Sequence, residues 1–330
     1  VDPKLEELNR EVARLSQQGR YKEVEPLLLR VLELTRDEYG EDDPQYATIL
    51  NDLGALYRAT GEYAKAEASF LQAMDVIGRV MGEEHPDYAT CVNNLAGLYR
   101  LTGDYARAEQ LFLQAWGIYG RTLGEEHFLY ASNLNNLALL YQDMGDHDRA
   151  EELQLQALDI GRRTRGEDDV AHATSLCNLA ATYTAKGDLQ KAEDALQRAL
   201  DVYGRTVGTE HPLYASALNN LAGLHYARGE YGEAEWRYLQ VLEVCDRIWG
   251  AEHPNYAAAL SSLAAVYEAS GDFAKAEQSY RRSLDIRRRV LGEGHPDYVD
   301  NVENLAALYE RTGDPAKAQQ LRGQSKEAEQ

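Results

Sequence analysis

The sequence predicts an all-α fold, a solenoid superhelix of eight helix-turn-helix units. Three observations predict it. A glycine recurs every 42 residues, at Gly19, Gly61, Gly103, Gly145, Gly187, Gly229, Gly271 and Gly313. A fixed period of about 20–50 residues is the mark of a solenoid or an array. Other positions keep the same beat. Ala66, Ala108, Ala150, Ala192, Ala234, Ala276 and Ala318 follow their glycine by five residues, and Leu53, Leu95, Leu137, Leu179, Leu221, Leu263 and Leu305 precede it by eight. Tyr57, Tyr99, Tyr141, Tyr183, Tyr267 and Tyr309 precede it by four, with Leu15 and His225 in that place in the first and sixth units. The third observation is that apolar residues fall at helical spacing twice in each period.

The stretch from Pro86 to Glu126 serves to justify each element. Val92, Leu95, Ala96 and Tyr99 make one face of a first helix, A. Pro86 suits its first position, where the missing N–H costs nothing. Gly103 ends it, because a left-handed residue is cheapest as glycine. Asp104 is placed to cap a second helix, B, whose stripe is Tyr105, Ala108, Phe112, Ala115 and Tyr119, and Gly124 closes that helix. Helix A should run for about 14 residues and helix B for about 18. The small alanine at 108 lets the two helices approach, while the Tyr99 and Phe112 side chains fill the gap between units. One hairpin cannot cover both of its apolar faces, so its neighbours must. The units are read as 4–42, 43–84, 85–126, 127–168, 169–210, 211–252, 253–294 and 295–327, one array over 1–330. The last unit acts as a cap, since the tail from Gln319 to Gln330 turns polar.

Composition narrows the function. The chain is 330 residues long and 27% charged, with a mean hydropathy of −0.54. No apolar run approaches the roughly 18 residues of a membrane span. The opening VDPKLEELNREV is charged and amphipathic, unlike a signal peptide. Lys and Arg number 34 against 55 Asp and Glu, a net charge of −21. Such a chain repels phosphate backbones, so no nucleic-acid partner is expected. The three cysteines, Cys91, Cys177 and Cys245, share no metal-ligand spacing and fit a reducing compartment, the cytoplasm. The start at Val1 is read as a processed product or an excised piece, with a neighbouring domain fused or lost.

The strings LNDLGALY (Leu50–Tyr57), VNNLAGLY (Val92–Tyr99), LNNLALLY (Leu134–Tyr141), LCNLAATY (Leu176–Tyr183), LNNLAGLH (Leu218–His225), LSSLAAVY (Leu260–Tyr267) and VENLAALY (Val302–Tyr309), with a later GxYxxAE and a closing LGxxHP, resemble the tetratricopeptide repeat (TPR), and specifically its kinesin light chain subfamily. The usual TPR unit has 34 residues; the excess here lies in helix B and the B–A loop. The resemblance covers nearly the whole chain and implies a right-handed superhelix. It also implies a protein or peptide ligand, since such repeats serve as cargo adaptors. In bacteria they are also found fused to CHAT-type caspase-like peptidases or STAND NTPases.

Paired asparagines inside helix A oppose local propensity, by up to about 0.7 kcal/mol per residue relative to alanine. They form two ladders. One holds Asn9, Asn51, Asn93, Asn135, Cys177, Asn219, Ser261 and Glu303; the other holds Arg10, Asp52, Asn94, Asn136, Asn178, Asn220, Ser262 and Asn304. Asn93, Gly97 and Arg100 share a face rotated away from Val92, Leu95 and Tyr99, expected to face solvent in the inner groove. An amide carries both donors and an acceptor. Two roles fit. The amides bond neighbouring helices and set the angle between units, or they hold a peptide backbone, as the resemblance to kinesin light chains implies for Asn94, Asn136, Asn178 and Asn220. The groove-lining set is therefore Asn51, Asn93, Asn94, Asn135, Asn136, Asn178, Asn219 and Asn220. The ladder thins at Ser261 and Glu303. The Arg100 position reads Ser16, Arg58, Arg100, Gln142, Thr184, Tyr226, Glu268 and Glu310, basic early and acidic late. Arg58 and Arg100 would hold an acidic segment in the N-terminal half of the groove by charge-assisted bonds.

No metal, cofactor or catalytic machinery is expected. His85, His127, His211, His253 and His295 lie a full repeat or more apart, too far for one zinc, and read as turn and capping residues. GxxxxGK[ST] and HExxH are absent, as is a strand-borne GxGxxG. Cys177 has His172 a little over one turn away but no third orienting residue. Arg287, Arg288 and Arg289 read as a solvated helix face. The leading expectation is a non-catalytic module that takes an extended peptide in its concave groove. The alternative is the sensor or regulatory region of a larger bacterial enzyme, and a third is self-assembly through an uncapped end.

Overall fold

The structure, a computed structural model, describes residues 3–17 and 20–328. Gly19 lies outside the described residues. Sixteen helices and no strand occur among them. The A helices are α1 (Pro3–Gln17), α3 (Pro44–Ala59), α5 (Pro86–Leu101), α7 (Phe128–Asp143), α9 (Val170–Lys186), α11 (Pro212–Ala227), α13 (Pro254–Ser270) and α15 (Pro296–Arg311). The B helices are α2 (Tyr21–Tyr39), α4 (Tyr63–Met81), α6 (Tyr105–Thr122), α8 (His147–Arg165), α10 (Leu189–Thr206), α12 (Tyr231–Trp249), α14 (Phe273–Val290) and α16 (Pro315–Ala328). The all-α hairpin repeat predicted by the sequence is thus the fold. The A helices run 15–17 residues, slightly longer than expected.

The chain divides into two compact units, Val1–Thr164 and Arg165–Gln330. In the first, α1 to α7 pack consecutively and α7 shares a buried cluster with α8; in the second, α9 to α16 pack consecutively. A helices of adjacent hairpins also touch, α3 with α5 and α5 with α7 in the first, α9 with α11 and α11 with α13 in the second. The repeated alanines from Ala66 to Ala318 are fully buried. That lets each B helix lie close on its A helix, as their lack of bulk requires.

The glycine that ends each A hairpin turn earns its place by conformation. Gly103 has φ 82°. The N–H of the next residue, Asp104, bonds back to the Tyr99 carbonyl at 2.9 Å, satisfying an otherwise orphaned helix-end acceptor. Asp104 then accepts from the Arg107 N–H at 3.2 Å and starts α6. At the other end of the hairpin the recurring histidines cap the A helices. The Nδ1 of His85, His127, His211, His253 and His295 accepts the N–H two residues on, at 3.1–3.2 Å. Asp43 and Asp169 do the same for α3 and α9. An imidazole can accept only while neutral, which fixes its tautomer.

The tyrosine four before the glycine ties one hairpin to the previous one. Tyr57, Tyr99, Tyr141 and Tyr309 donate to Glu25, Glu67, Glu109 and Glu277, at 2.6–3.1 Å. Each glutamate is the one that follows the buried alanine on the preceding B helix, except Glu25, which follows Val24. A lysine or arginine lies over each ring, as Arg107 does over Tyr99 at 5.2 Å. His225 breaks the pattern. Its Nδ1 meets Glu230 Oε2 at 2.6 Å, and Arg228 instead reaches back to Glu193 at 2.5 Å.

Candidate functional site: the amide face of the A helices

On the first unit's A helices the amides bond to one another. Asn94 Nδ2 donates to Asn51 Oδ1 at 2.9 Å. Asn136 Nδ2 and Asn133 Nδ2 both donate to Asn93 Oδ1 at 3.1 Å. Asn93 Nδ2 leans on Asn94 Oδ1 at 3.5 Å. Asn51, Asn93, Asn94 and Asn136 thus join α3, α5 and α7. All four are half-buried, while Asn133, which the periodicity did not single out, is 1% exposed. Asn135 is half-buried on α7 and is also engaged.

The second unit differs. Asn178 and Asn219 are half-buried and Asn220 is exposed, and none of the three makes a side-chain hydrogen bond among the described residues. Further along, Ser261 Oγ lies 2.8 Å from Ser283 Oγ and donates to Asn301 Oδ1 at 2.9 Å. Asn301 Nδ2 donates to the Tyr280 carbonyl. Beside Asn219 a pocket of about 260 Å³ opens between α11, α12 and α13. Its buried floor is Ala215, Val241, Cys245 and Ala259; Ser216, Asn255 and Trp249 stand around it.

The basic positions also part company. Arg100 donates to Asp143 at 2.6 Å, one unit on. Arg58 has no carboxylate partner among the described residues. It lies half-buried with its guanidinium across Gly97, where a β-carbon would stand 3.1 Å from Nη1. Desolvation, then repulsion from Arg100, lowers its pKa below the ordinary arginine value. Asp52, on the same helix, is surrounded closely enough that desolvation raises its carboxyl above the usual range. Its side chain is nevertheless open to water. Late in the array Glu268 pairs with Arg311 at 3.0 Å, and Arg322 spans Glu303 and Glu310.

The residues weighed for chemistry have structural places. Burial pushes the Cys177 thiol up to about 11, away from a thiolate nucleophile. His172 is buried within α9. Among the described residues no three His, Cys, Asp or Glu side chains gather as a metal site. The Arg287 run is not uniformly solvated. Arg287 is 8% exposed and donates to the Asp297 carbonyl at 2.6 Å, whereas Arg288 and Arg289 face Asp285 and Glu252 across exposed pairs. No described helix is long and apolar enough to cross a membrane.

Helix hairpins of this length, glycine-ended and locked by buried alanines, define a helical-repeat interaction protein. The tetratricopeptide repeat signature matches residues 14–77, 55–121, 129–205, 178–247, 213–289 and 256–328. The chain belongs to the tetratricopeptide repeat family. It is similar to BtubC (BKLC) from P. vanneervenii, at 27% identity and a TM-score of 0.60 over 71% of this chain and 94% of that one. It is also similar to a kinesin light chain-like protein of nearly identical TPR-like repeats from Podosopora anserina, at 28% identity and TM-score 0.54 over 62% and 98%. The fold is shared with a STAND protein bearing a tetratricopeptide repeat sensor from Pyrococcus horikoshii. That match has 17% identity and TM-score 0.63, over 98% of this chain but 47% of that one. No curated protein matches this chain.

Proposed function

We propose that this chain is a non-catalytic protein-interaction module that takes an extended partner segment along the amide face of its A helices. The observation that carries the reading is the state of Asn178, Asn219 and Asn220. Each sits mid-helix against its propensity, and none is used by the fold. An unused amide offers a donor pair and an acceptor to a peptide backbone without regard to its side chains. In the first unit the same face offers Arg58, whose desolvated and unpaired charge is relieved by an anionic side chain, so an acidic segment is its partner there. The test is partner capture by the chain with Asn178, Asn219 and Asn220 all changed to Ala. Binding should fall at least tenfold with no drop in melting temperature. Unchanged binding would remove the amides from the site.

A second reading makes this chain the regulatory region of a larger enzyme, in the manner of the tetratricopeptide sensor of the Pyrococcus horikoshii protein. That likeness is one of fold. Mass spectrometry of the protein isolated from its host would decide it.

A further inference from the structure

The pocket beside Asn219 has an internal explanation. The same repeat positions recur from hairpin to hairpin, and in the third and fifth a tyrosine of this protein fills the space they enclose, whereas the fourth carries Gly161 there. In the third hairpin the filler is Tyr119. It is 2% exposed and its hydroxyl lies 3.0 Å from Thr90 Oγ1. In the fifth it is Tyr203, 1% exposed, with its hydroxyl 2.8 Å from Thr174 Oγ1. The equivalent residue of the sixth hairpin is Cys245. A second filler is missing at the same junction. The residue equivalent to Ala259 is Asn133 after the third hairpin and Asn301 after the seventh. Those asparagines bond back to Asn93 and Ser261, the counterparts of Asn219. Ala259 cannot, so the Asn219 amide is left over.

What remains is a cup at the place a tyrosine takes in the third and fifth hairpins. Two of its lining positions keep the chemistry found around Tyr119. Ala215 stands for Ala89 and Ser216 for Thr90, the hydroxyl partner. Val241 stands where Ala115 and Ala199 do and gives back a little of the space. At about 260 Å³ the cup falls below the roughly 300–1,000 Å³ of small-molecule sites, which suits a single side chain. Burial holds the Cys245 thiol neutral, pushed up to about 11, so the floor is apolar. Trp249, stacked on His253 at 5.1 Å, stands at the rim.

We propose that this cup receives a tyrosine side chain from the partner segment, its ring on Ala215, Val241 and Cys245 and its hydroxyl toward Ser216 and Asn219. The proposal rests on the reading of the A-helix face as a peptide site, and it adds to it an anchor residue and a place. It commits to a phenol because the protein itself uses one at two other junctions. Each time the ring's hydroxyl meets the side chain at the Ser216 position.

The experiment uses the full chain and three probes: p-cresol, a short acetylated and amidated peptide Gly-Ser-Tyr-Ser-Gly, and the same peptide with alanine for tyrosine. Binding is read from the Trp249 indole signal by NMR, assigned with Trp249→Phe. Cresol and the tyrosine peptide should both shift that signal and compete with each other, and the alanine peptide should bind at least tenfold more weakly. Two variants fill the cup from inside. Cys245→Tyr supplies the missing ring and Ala259→Asn supplies the missing amide for Asn219. Each should weaken both phenolic probes at least tenfold while the melting temperature holds or rises. If cresol binds and the tyrosine peptide does not, the phenol cup stands and the peptide reading of the face falls. If both peptides bind alike and both variants leave them unchanged, the peptide face stands and the anchor is overturned. Binding of neither phenol nor peptide overturns the proposal outright.

Discussion

The two compact units are built from the same 42-residue brick, yet they spend their asparagines differently. In the first, α3, α5 and α7 are stitched by amides that bond to amides, with Asn93 accepting twice. In the second, Asn178, Asn219 and Asn220 are unclaimed, and a junction that tyrosine fills elsewhere stands open. A repeat with fixed core positions can therefore turn the same surface position into a fastener or a contact point by changing its neighbours. Asn133 and Asn136 make Asn93 a fastener; Ala259 and Ser262 stand in their places beside Asn219 and leave it free.

The largest expected effect is obtained by making the first unit resemble the second. Tyr119→Cys removes a fully buried ring that touches both its own hairpin and the next. Transfer and cavity contributions together predict a loss of about 3–5 kcal/mol, read from the denaturant midpoint. The variant should also acquire cresol binding at the new cavity. A loss under about 1 kcal/mol would mean the junction closes on itself, and the vacancy at Cys245 would then have a different origin.

Next in size is the fastener itself. Asn93→Ala strands the Nδ2 groups of Asn133 and Asn136, the first of them buried, so about 1–3 kcal/mol should be lost. Asn219→Ala has no partner to strand. There only helix propensity changes, and stability should rise by up to about 0.7 kcal/mol. Thermal unfolding of the two variants side by side should give opposite signs. Equal signs would erase the contrast between the units.

How much of this was legible in the sequence follows from what each feature depends on. The helices, the glycine turns at 42-residue steps, the buried alanines and the capping role of the histidines depend on local spacing, and periodicity exposes them. The asparagine ladders were visible as a pattern, but a ladder residue's partner lies on a neighbouring helix, so Asn93 and Asn219 look alike in sequence. Asn133 and Asn301 were overlooked because they interrupt the apolar face once each rather than recurring in every unit. The Glu67 to Tyr99 tie could have been read from the invariant spacing of the AE pair and the next unit's tyrosine. The pocket left its signal as two small residues, Cys245 and Ala259, at positions held elsewhere by Tyr119 and Asn133, a signal that means little until the structure shows those positions meet. Arg287 was misjudged because the arginine run flanking it is exposed, while its own position is the one that Tyr119 and Tyr203 occupy in other hairpins.

The smallest effect concerns the rim of that pocket. His253 caps α13 through Nδ1 and stacks on Trp249. Desolvation lowers its pKa below the ordinary histidine value. The sign follows from linkage: the neutral ring is favoured in the folded chain, so its contribution is complete above the unfolded pKa of about 6.5 and fades as pH falls through the lower folded value. Protonation removes the acceptor, and the cap is worth about 1 kcal/mol. His253→Asp keeps an acceptor there, as Asp43 and Asp169 do at the heads of α3 and α9. An aspartate stays ionised down to about pH 4. Between pH 7.5 and pH 5 the melting temperature of the wild-type chain should therefore fall further than that of His253→Asp. Parallel curves would mean that the stacked imidazole holds its proton balance whether folded or not, and that acid leaves this end of the second unit as it was.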